Sequence, residues 1–290
     1  MKQIDPKNDI VFTPSNIADL MCTLAGVNES SVVIDSTAGA GALMQAASRA
    51  GAKRIIGIEF EDIPFKMLKE NIGNDTRFEY VQGDGMRYSD LIEKPEEINI
   101  VLSNPPYSAE DGGMIFADEI MQSMKGGMAV ILTKSNVQRP HILAHSTLKA
   151  VITLPDIFKG FASVQTSLYI FECGRPHDIE NDIVKFINFS NDGYRRSGRK
   201  TQKGQVMPAP GEHPEERYHE LIELVVNNNK AALNYYKELY VEDTLKEKPA
   251  WMFNAHRVID TTPTIDDFKK TVADYLSWKV GTILRGEIHE

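Results

Sequence analysis

The chain has 290 residues, 42% hydrophobic and 25% charged, which excludes disorder and fibrous repeats and suffices for one sizeable core with an appendage. A formal net charge of −9 excludes nucleic-acid binding by overall attraction, so any such contact needs a locally basic face. Two cysteines, Cys22 and Cys173, without C-x-x-C spacing, exclude a disulfide framework or zinc ribbon and suggest a reducing cytoplasm, and no stretch approaches the roughly 20 apolar residues of a membrane span.

From the N-terminus, short β-rich runs alternate with helical patterns, as in a parallel sheet with crossover helices. Seven runs are predicted as strands: Val32 to Asp35, Arg54 to Glu59, Phe78 to Gln82, Ile98 to Ser103, Met128 to Thr133, Ala150 to Leu154 and Ser167 to Glu172. Several are nearly all apolar, as strands covered on both faces are, and the last two sit close enough for an antiparallel return. Helices are predicted over Ala40 to Ala50, Ile63 to Asn71 and Met114 to Met124, closed by Gly51, Gly73 and Gly126.

Beyond Cys173 one more apolar run, Ile183 to Phe189, precedes Ser190 to Gly204, read as a long exposed loop, and Pro208 to Pro214, read as a linker. Apolar residues at helical spacing over Glu215 to Tyr240, and again over Ile265 to Leu284, predict two long helices. The expected organisation is therefore an α/β domain over 1–205, a linker over 206–214 and a helical region over 215–290.

Acids or glycines close the first three strands. Asp35-Ser36-Thr37-Ala38-Gly39-Ala40-Gly41 follows a strand and opens a helix, so its glycines permit a tight turn and close approach of a ligand to the backbone. It lacks the full dinucleotide G-x-G-x-x-G and any G-K-[ST], which weakens the NAD and P-loop readings. Glu59 ends the second strand, where a carboxylate suits the two hydroxyls of a ribose; Asp84, between Gly83 and Gly85, ends the third and suits an exposed amino group such as an adenine N6. Ligands of open α/β sheets bind at this edge.

The fourth strand runs into Ser103-Asn104-Pro105-Pro106-Tyr107. Consecutive prolines force an extended chain, so the Asn104 side chain and the Pro105 carbonyl become rigid neighbouring acceptors able to grip one amino group. Tyr107 offers a flat face for a base, worth about 1–3 kcal/mol in nucleic-acid sites.

With these residues in this order, roughly residues 8 to 205 resemble the amino-group DNA methyltransferases of the γ arrangement, specifically the N6-adenine modification subunits of type I restriction systems. The resemblance implies a class I S-adenosylmethionine-dependent methyltransferase fold, Rossmann-like, with about seven strands, the last antiparallel, and a C-terminal helical appendage. It implies that Phe12, Thr13 and Pro14 touch the methionine end of S-adenosylmethionine. Asp35, Thr37, Gly39 and Gly41 match its glycine loop, Glu59 its ribose acid, Asp84 with Gly85 its adenine contact, and Asn104, Pro105, Pro106 and Tyr107 the catalytic tetrad, with Asn104 also beside the cofactor. Leu154 to Phe158 and Val164 to Ser167 resemble a later stretch of those subunits, and Phe158 or Phe161 would add a second aromatic to the target base. Ser36 stands where many relatives have proline, and the family's long N-terminal helical domain and target-recognition domain find no counterpart in this sequence.

The implied reaction is methyl transfer to the N6 amino group of a flipped adenine in DNA, with no metal. The chain would borrow sequence recognition from a specificity subunit or have only minimal specificity of its own, and the expected partner is that subunit or a second copy in a homodimer. Arg195, Arg196, Arg199 and Lys200 lie in the one dense basic segment and are candidates for phosphate contacts. His141 and His145, spaced i, i+4 but without a nearby Cys or acidic metal partner, are read as surface residues. Apolar residues of the C-terminal helices, Tyr235, Tyr236, Leu239, Tyr240, Phe268, Tyr275, Leu276 and Trp278, either form a partner face or pack back onto the sheet. Two other functions use the same amino-group grip or the same pocket: methylation of a glutamine amide or RNA adenine, and a non-catalytic binding subunit.

Overall fold

The computed structural model describes residues 12–197, 206–231, 233–257 and 265–285. It contains β1 (Val32–Asp35), β2 (Arg54–Glu59), β3 (Phe78–Gln82), β4 (Ile100–Ser103), β5 (Met128–Lys134), β6 (Ser146–Thr153), β7 (Thr166–Cys173), β8 (Val184–Asn188), β9 (Tyr194–Arg196), β10 (Val206–Pro208) and β11 (Tyr240–Asp243). The helices are α1 (Ser15–Leu24), α2 (Ala42–Arg49), α3 (Asp62–Ile72), α4 (Tyr88–Leu91), α5 (Met114–Met121), α6 (Pro214–Val225), α7 (Phe253–His256) and α8 (Ile265–Leu284).

Nine strands, more than the seven expected, form one sheet in the order β11-β8-β6-β7-β5-β4-β1-β2-β3. The five strands β1 to β5 run parallel, and β7 runs antiparallel to both β5 and β6, as the close spacing of its run predicts. The additional strands are β8, parallel to β6, and β11, antiparallel to β8. Alternate residues of each strand feed opposite layers of core. Val33, Ile55, Leu102, Val130 and Ile170 meet the helical residues Leu20, Leu43, Leu68 and Leu221 on one side. Ile34, Ile56, Val101, Ile131 and Phe171 meet Ala117, Ile120, Trp251 and Phe253 on the other. Burial on both faces explains why these strands read as continuous apolar runs.

The region after residue 205 departs from expectation. The helix begun at Pro214 stops at Val225, because three asparagines follow. Asn228 turns left-handed at φ 52°, while Asn227 and Asn229 donate their side-chain amides to Glu223 at 2.7 and 3.0 Å. Lys185 Nζ, reaching from β8, donates to the Leu224 carbonyl at 2.8 Å and closes the helix end onto the sheet. The chain then returns as β11, which pairs Tyr240 with Ile187 and Asp243 with Val184. Of the eight apolar residues in question, Tyr235, Tyr236, Leu239 and Tyr240 pack on the core, whereas Phe268, Tyr275, Leu276 and Trp278 on α8 are exposed. The compact units are accordingly Met1–His256 and Arg257–Glu290, and the division falls after His256 rather than across 206–214. Among the described residues no helix is long and apolar enough to cross a membrane.

Trp251 tests this correction. It is buried, with its ring 5.7 Å from that of Phe171 and 6.3 Å from that of Tyr169. Trp251→Ala is expected to cost about 3–5 kcal/mol, the range for deleting a buried large aromatic, measurable by chemical denaturation; a loss within error would place this segment outside the core.

Candidate active site

Strand order reverses between β1 and β4: the chain leaves β1 toward β2 and β3, but leaves β4 toward β5. Ile34 and Val101 are paired across this junction, so the ends of both strands, Asp35 and Ser103, sit side by side at the carboxyl edge. A cavity of about 570 Å³ opens there. Its lining includes Phe12, Thr13, Asp35, Thr37, Gly39, Glu59, Asp84, Gly85 and the whole Asn104–Tyr107 segment, residues drawn from four strand ends and the segment before α1. Phe60, Glu61, Pro64 and Phe116 also line it and were not singled out from sequence. Phe60, 68% exposed directly after Glu59, had a legible signal: a large apolar residue at a sheet edge, where the core does not claim it.

The glycine loop is held from within. Gly41 caps α2 at φ 85°, and a Cβ there would come 2.6 Å from the Leu68 side chain, so it packs beneath the loop rather than facing the cavity. Gly39, at φ 56°, donates its N–H to Glu59 Oε2 at 2.7 Å, while Glu59 Oε1 accepts from the Glu61 N–H at 2.8 Å. Each carboxylate oxygen keeps lone-pair capacity for a further donor. Asp35 Oδ1 accepts from the Thr37 N–H at 3.1 Å, and Asp84 Oδ1 from the Met86 N–H at 3.0 Å. Pro14 does not line the cavity; its carbonyl accepts the first N–H groups of α1 and so fixes Thr13 next to it.

Thr13 joins the tetrad directly. Asn104 Nδ2 donates to Thr13 Oγ1 at 3.0 Å, and the Tyr107 hydroxyl donates to Asn104 Oδ1 at 2.9 Å. Thr13 and Tyr107 thus hold the Asn104 amide from its two ends, with the nitrogen on Thr13 and the oxygen on Tyr107. The Tyr107 ring lies 6.3 Å from that of Phe158 at 55°. Phe158 is 1% exposed and outside the cavity lining, so it backs Tyr107 rather than meeting a ligand; Phe161 is 36% exposed.

The basic segment divides. Arg196 is drawn inward onto buried Asp192, with Nη1 2.9 Å from Oδ1, and Tyr218 donates to the same carboxylate at 3.0 Å. Its charge is neutralised there, which removes it as a phosphate contact; Arg195 remains exposed, and Arg199 and Lys200 lie outside the described residues. His145 is likewise no surface residue: its Nε2 lies 2.7 Å from Oδ1 of Asp118, fully buried on α5, an acidic partner 27 positions away.

Four acids, Asp35, Glu59, Glu61 and Asp84, line the cavity, and no Lys, Arg or His is among its described lining residues. The site therefore favours a ligand with positive charge and disfavours a polyphosphate. Burial pushes the Asp35 carboxyl up to about 7, with the Thr37 N–H opposing and the nearby Glu59 charge adding to it. Burial also raises Glu59, against hydrogen bonds from Glu61 and Gly39.

Residues 19–151 match a family described as conserved hypothetical protein 95. The type II restriction enzyme and methyltransferase RM.BcgI of Heyndrickxia coagulans is 27% identical over 313 residues, covering 96% of this chain and 47% of that protein. The chain is homologous to a restriction–modification methyltransferase. It spans about half the length of that relative. In fold it is similar to the type I methyltransferase subunit of Streptococcus thermophilus, with a TM-score of 0.62 at 16% identity, covering 84% of this chain and 58% of that one. The M protein of the type I restriction enzyme EcoKI gives 0.61 at 13% identity, covering 98% of this chain and 74% of that one. The chain shares its mixed, mainly parallel α/β fold with these methyltransferase subunits.

The raised Asp35 carboxyl makes a prediction about stability. Between 3.8, its ordinary value, and about 7, the unfolded chain has released this proton while the folded chain keeps it, so stability falls as pH rises through that window. Asp35→Asn is expected to flatten this slope in denaturation series without added ligand; an unchanged slope would mean that Asp35 ionises normally.

Proposed function

We propose that this chain transfers a methyl group from S-adenosylmethionine to the N6 amino group of adenine in DNA, with a partner supplying sequence recognition. The observation that carries this reading is the single acidic cavity, free of basic residues among those described, that joins Asp35, Glu59 and Asp84 to the Asn104–Tyr107 segment.

The donor set fits the cofactor. S-adenosylmethionine carries a sulfonium and an ammonium against one carboxylate, and a cavity lined by four acids suits that net positive charge. Glu59, with both oxygens anchored by backbone N–H groups and lone pairs remaining, would hold the ribose hydroxyls. Asp84, one strand further along, would meet the adenine amino group, and exposed Phe60 an adenine face. Thr13 and Asp35, beside Asn104, would hold the methionine end. When bound, the cofactor supplies an electrophilic methyl group.

What the chain does is position the acceptor and polarise it. Asn104 Oδ1 and the Pro105 carbonyl accept the hydrogens of the amino group and favour electron density on its nitrogen as it turns tetrahedral. Tyr107, backed by Phe158, offers the stacking face that offsets part of the cost of flipping a base from the duplex, a few kcal/mol. The RM.BcgI relative combines restriction and methylation in one protein, and the fold neighbours are modification subunits of restriction systems, which supports DNA as the substrate and an assembly as the working form. The exposed aromatic and aliphatic residues of α8 are the surface offered to the partner.

Calorimetry without DNA is expected to detect S-adenosylmethionine binding, weakened by about 1–3 kcal/mol in Glu59→Ala, the scale of hydrogen bonds to a charged acceptor. Asn104→Ala should abolish transfer of labelled methyl groups to DNA while leaving cofactor affinity nearly unchanged. Incorporation into RNA or protein but not DNA, in the same assay, would overturn the substrate assignment.

Because residues 214–256 complete the sheet and core, the informative truncation falls after His256. That protein is expected to fold and bind the cofactor but to lose partner association and site-specific methylation. Site-specific methylation by the truncated chain alone would refute the role given to α8.

A further inference from the structure

The turn after the tetrad runs Asp111-Gly112-Gly113 at φ 49°, 63° and 86°, the one run of three left-handed residues among those described. It returns the chain under the prolines: a Cβ on Gly113 would lie 2.5 Å from Cβ of Pro105 and 3.0 Å from the Pro106 carbonyl oxygen. Glycine suits two of these positions, and Asp111, of a type that enters the left-handed region more often than most, still does so at a cost that glycine does not bear.

Thr133 Oγ1 donates to the Gly112 carbonyl at 2.5 Å. The other anchor is Arg139. Its Nη1 donates to Asp111 Oδ2 at 2.9 Å and Glu110 Oε1 at 3.0 Å, and its Nε donates to Asp118 Oδ2 at 2.6 Å. Asp118 is fixed on α5 and fully buried, and its carboxylate also meets His141 Nδ1 at 2.9 Å and His145 Nε2 at 2.7 Å. Asp118, His141 and His145 together have the chemistry of a metal triad. Here, however, the nitrogens lie at hydrogen-bond distance from the carboxylate and a guanidinium already shares it, so the trio acts as an anchor for Arg139.

We propose that Arg139 is a positioning residue for the Asn104–Tyr107 segment: by clamping Asp111 to buried Asp118, it keeps the left-handed turn pressed against Pro105 and so sets where Asn104 Oδ1 meets the amino group. Arg139 lies outside the cavity lining. Its effect on methyl transfer rests on the function proposed above; its effect on the turn does not.

The test compares the wild-type chain with Arg139→Gln, Arg139→Lys and the double variant Arg139→Gln with Asp111→Gly. It uses calorimetry with S-adenosylmethionine, methyl-transfer kinetics on DNA, and hydrogen exchange of the peptide spanning 104–114. Arg139→Gln should bind the cofactor as the wild type does and lose about 100-fold in kcat with little change in KM, the scale of a small misplacement of a reacting group. Exchange over 104–114 should quicken. Asp111→Gly should restore both in the double variant, because glycine takes the left-handed conformation unaided. Wild-type kcat and exchange in Arg139→Gln, or a double variant no better than the single one, would overturn the proposal. Should Arg139→Gln fail to fold, Arg139→Lys decides by the same two measurements, since an ammonium cannot bridge these carboxylates as the planar fork does. A wild-type chain that methylates RNA or protein but not DNA would defeat the DNA reading, and the exchange data would still judge the turn.

Discussion

Everything at the ligand-facing edge depends on the reversal of strand order between β1 and β4. Their crossovers depart in opposite directions, so nothing covers the gap above the junction, yet hydrogen bonding of the two strands holds Asp35 and Asn104 as neighbours. Two packed layers hold the sheet beneath it. A shift at that edge would have to drag either layer with it, which is why short side chains there can be placed to within a hydrogen bond. From this junction the acids follow strand by strand, Asp35, Glu59 and Asp84, so the edge grades from the tetrad outward along one line.

The charges along that line are the second constraint. Burial above all, with the nearby Glu59 charge adding to it, disfavours ionised Asp35, which keeps its proton up to about pH 7. A cation in the cavity removes the conflict by giving both carboxylates a partner. On the proposed reaction the sulfonium charge disappears with the methyl group, so the product is held less strongly than the substrate by the same acids. On that reading the same carboxylates discriminate between the two forms of the cofactor.

Where the sequence was readable, a local rule and the global fold agreed. Apolar runs buried on both faces, acids at successive strand ends and a diproline after the fourth strand each carry their meaning within a few residues. What it concealed was decided at long range. β11 is four residues long, and its pairing partner β8 lies more than 50 positions earlier, so helical spacing over Glu215 to Tyr240 outweighed it until three asparagines are seen to break the helix. Arg196 looked like part of a solvated charge run because its neutralisation is tertiary as well as local: Asp192 stands four residues before it, but it is buried only when Tyr218 of α6 closes over the pair. Asp118 looked like an ordinary helical acid, with partners 21 to 27 residues away that no periodicity connects. Phe158 resembled a base-stacking residue in position, and burial made it the support of one instead.

The tetrad itself shows how such support becomes chemistry. An amide that turned freely would present nitrogen as often as oxygen to an incoming amino group, and half of those encounters would set donor against donor. Thr13, accepting from Nδ2, and the Tyr107 hydroxyl, donating to Oδ1, hold the amide against free rotation. An amide oxygen has two lone pairs, so the tyrosine need not leave for the amino group to bind. On the proposed function the amide is then held in place before any substrate arrives, which limits reorganisation as charge develops on the nitrogen. The tyrosine ring keeps its place because Phe158 is locked in the core behind it, which links the geometry of one hydrogen bond to the packing of the whole sheet.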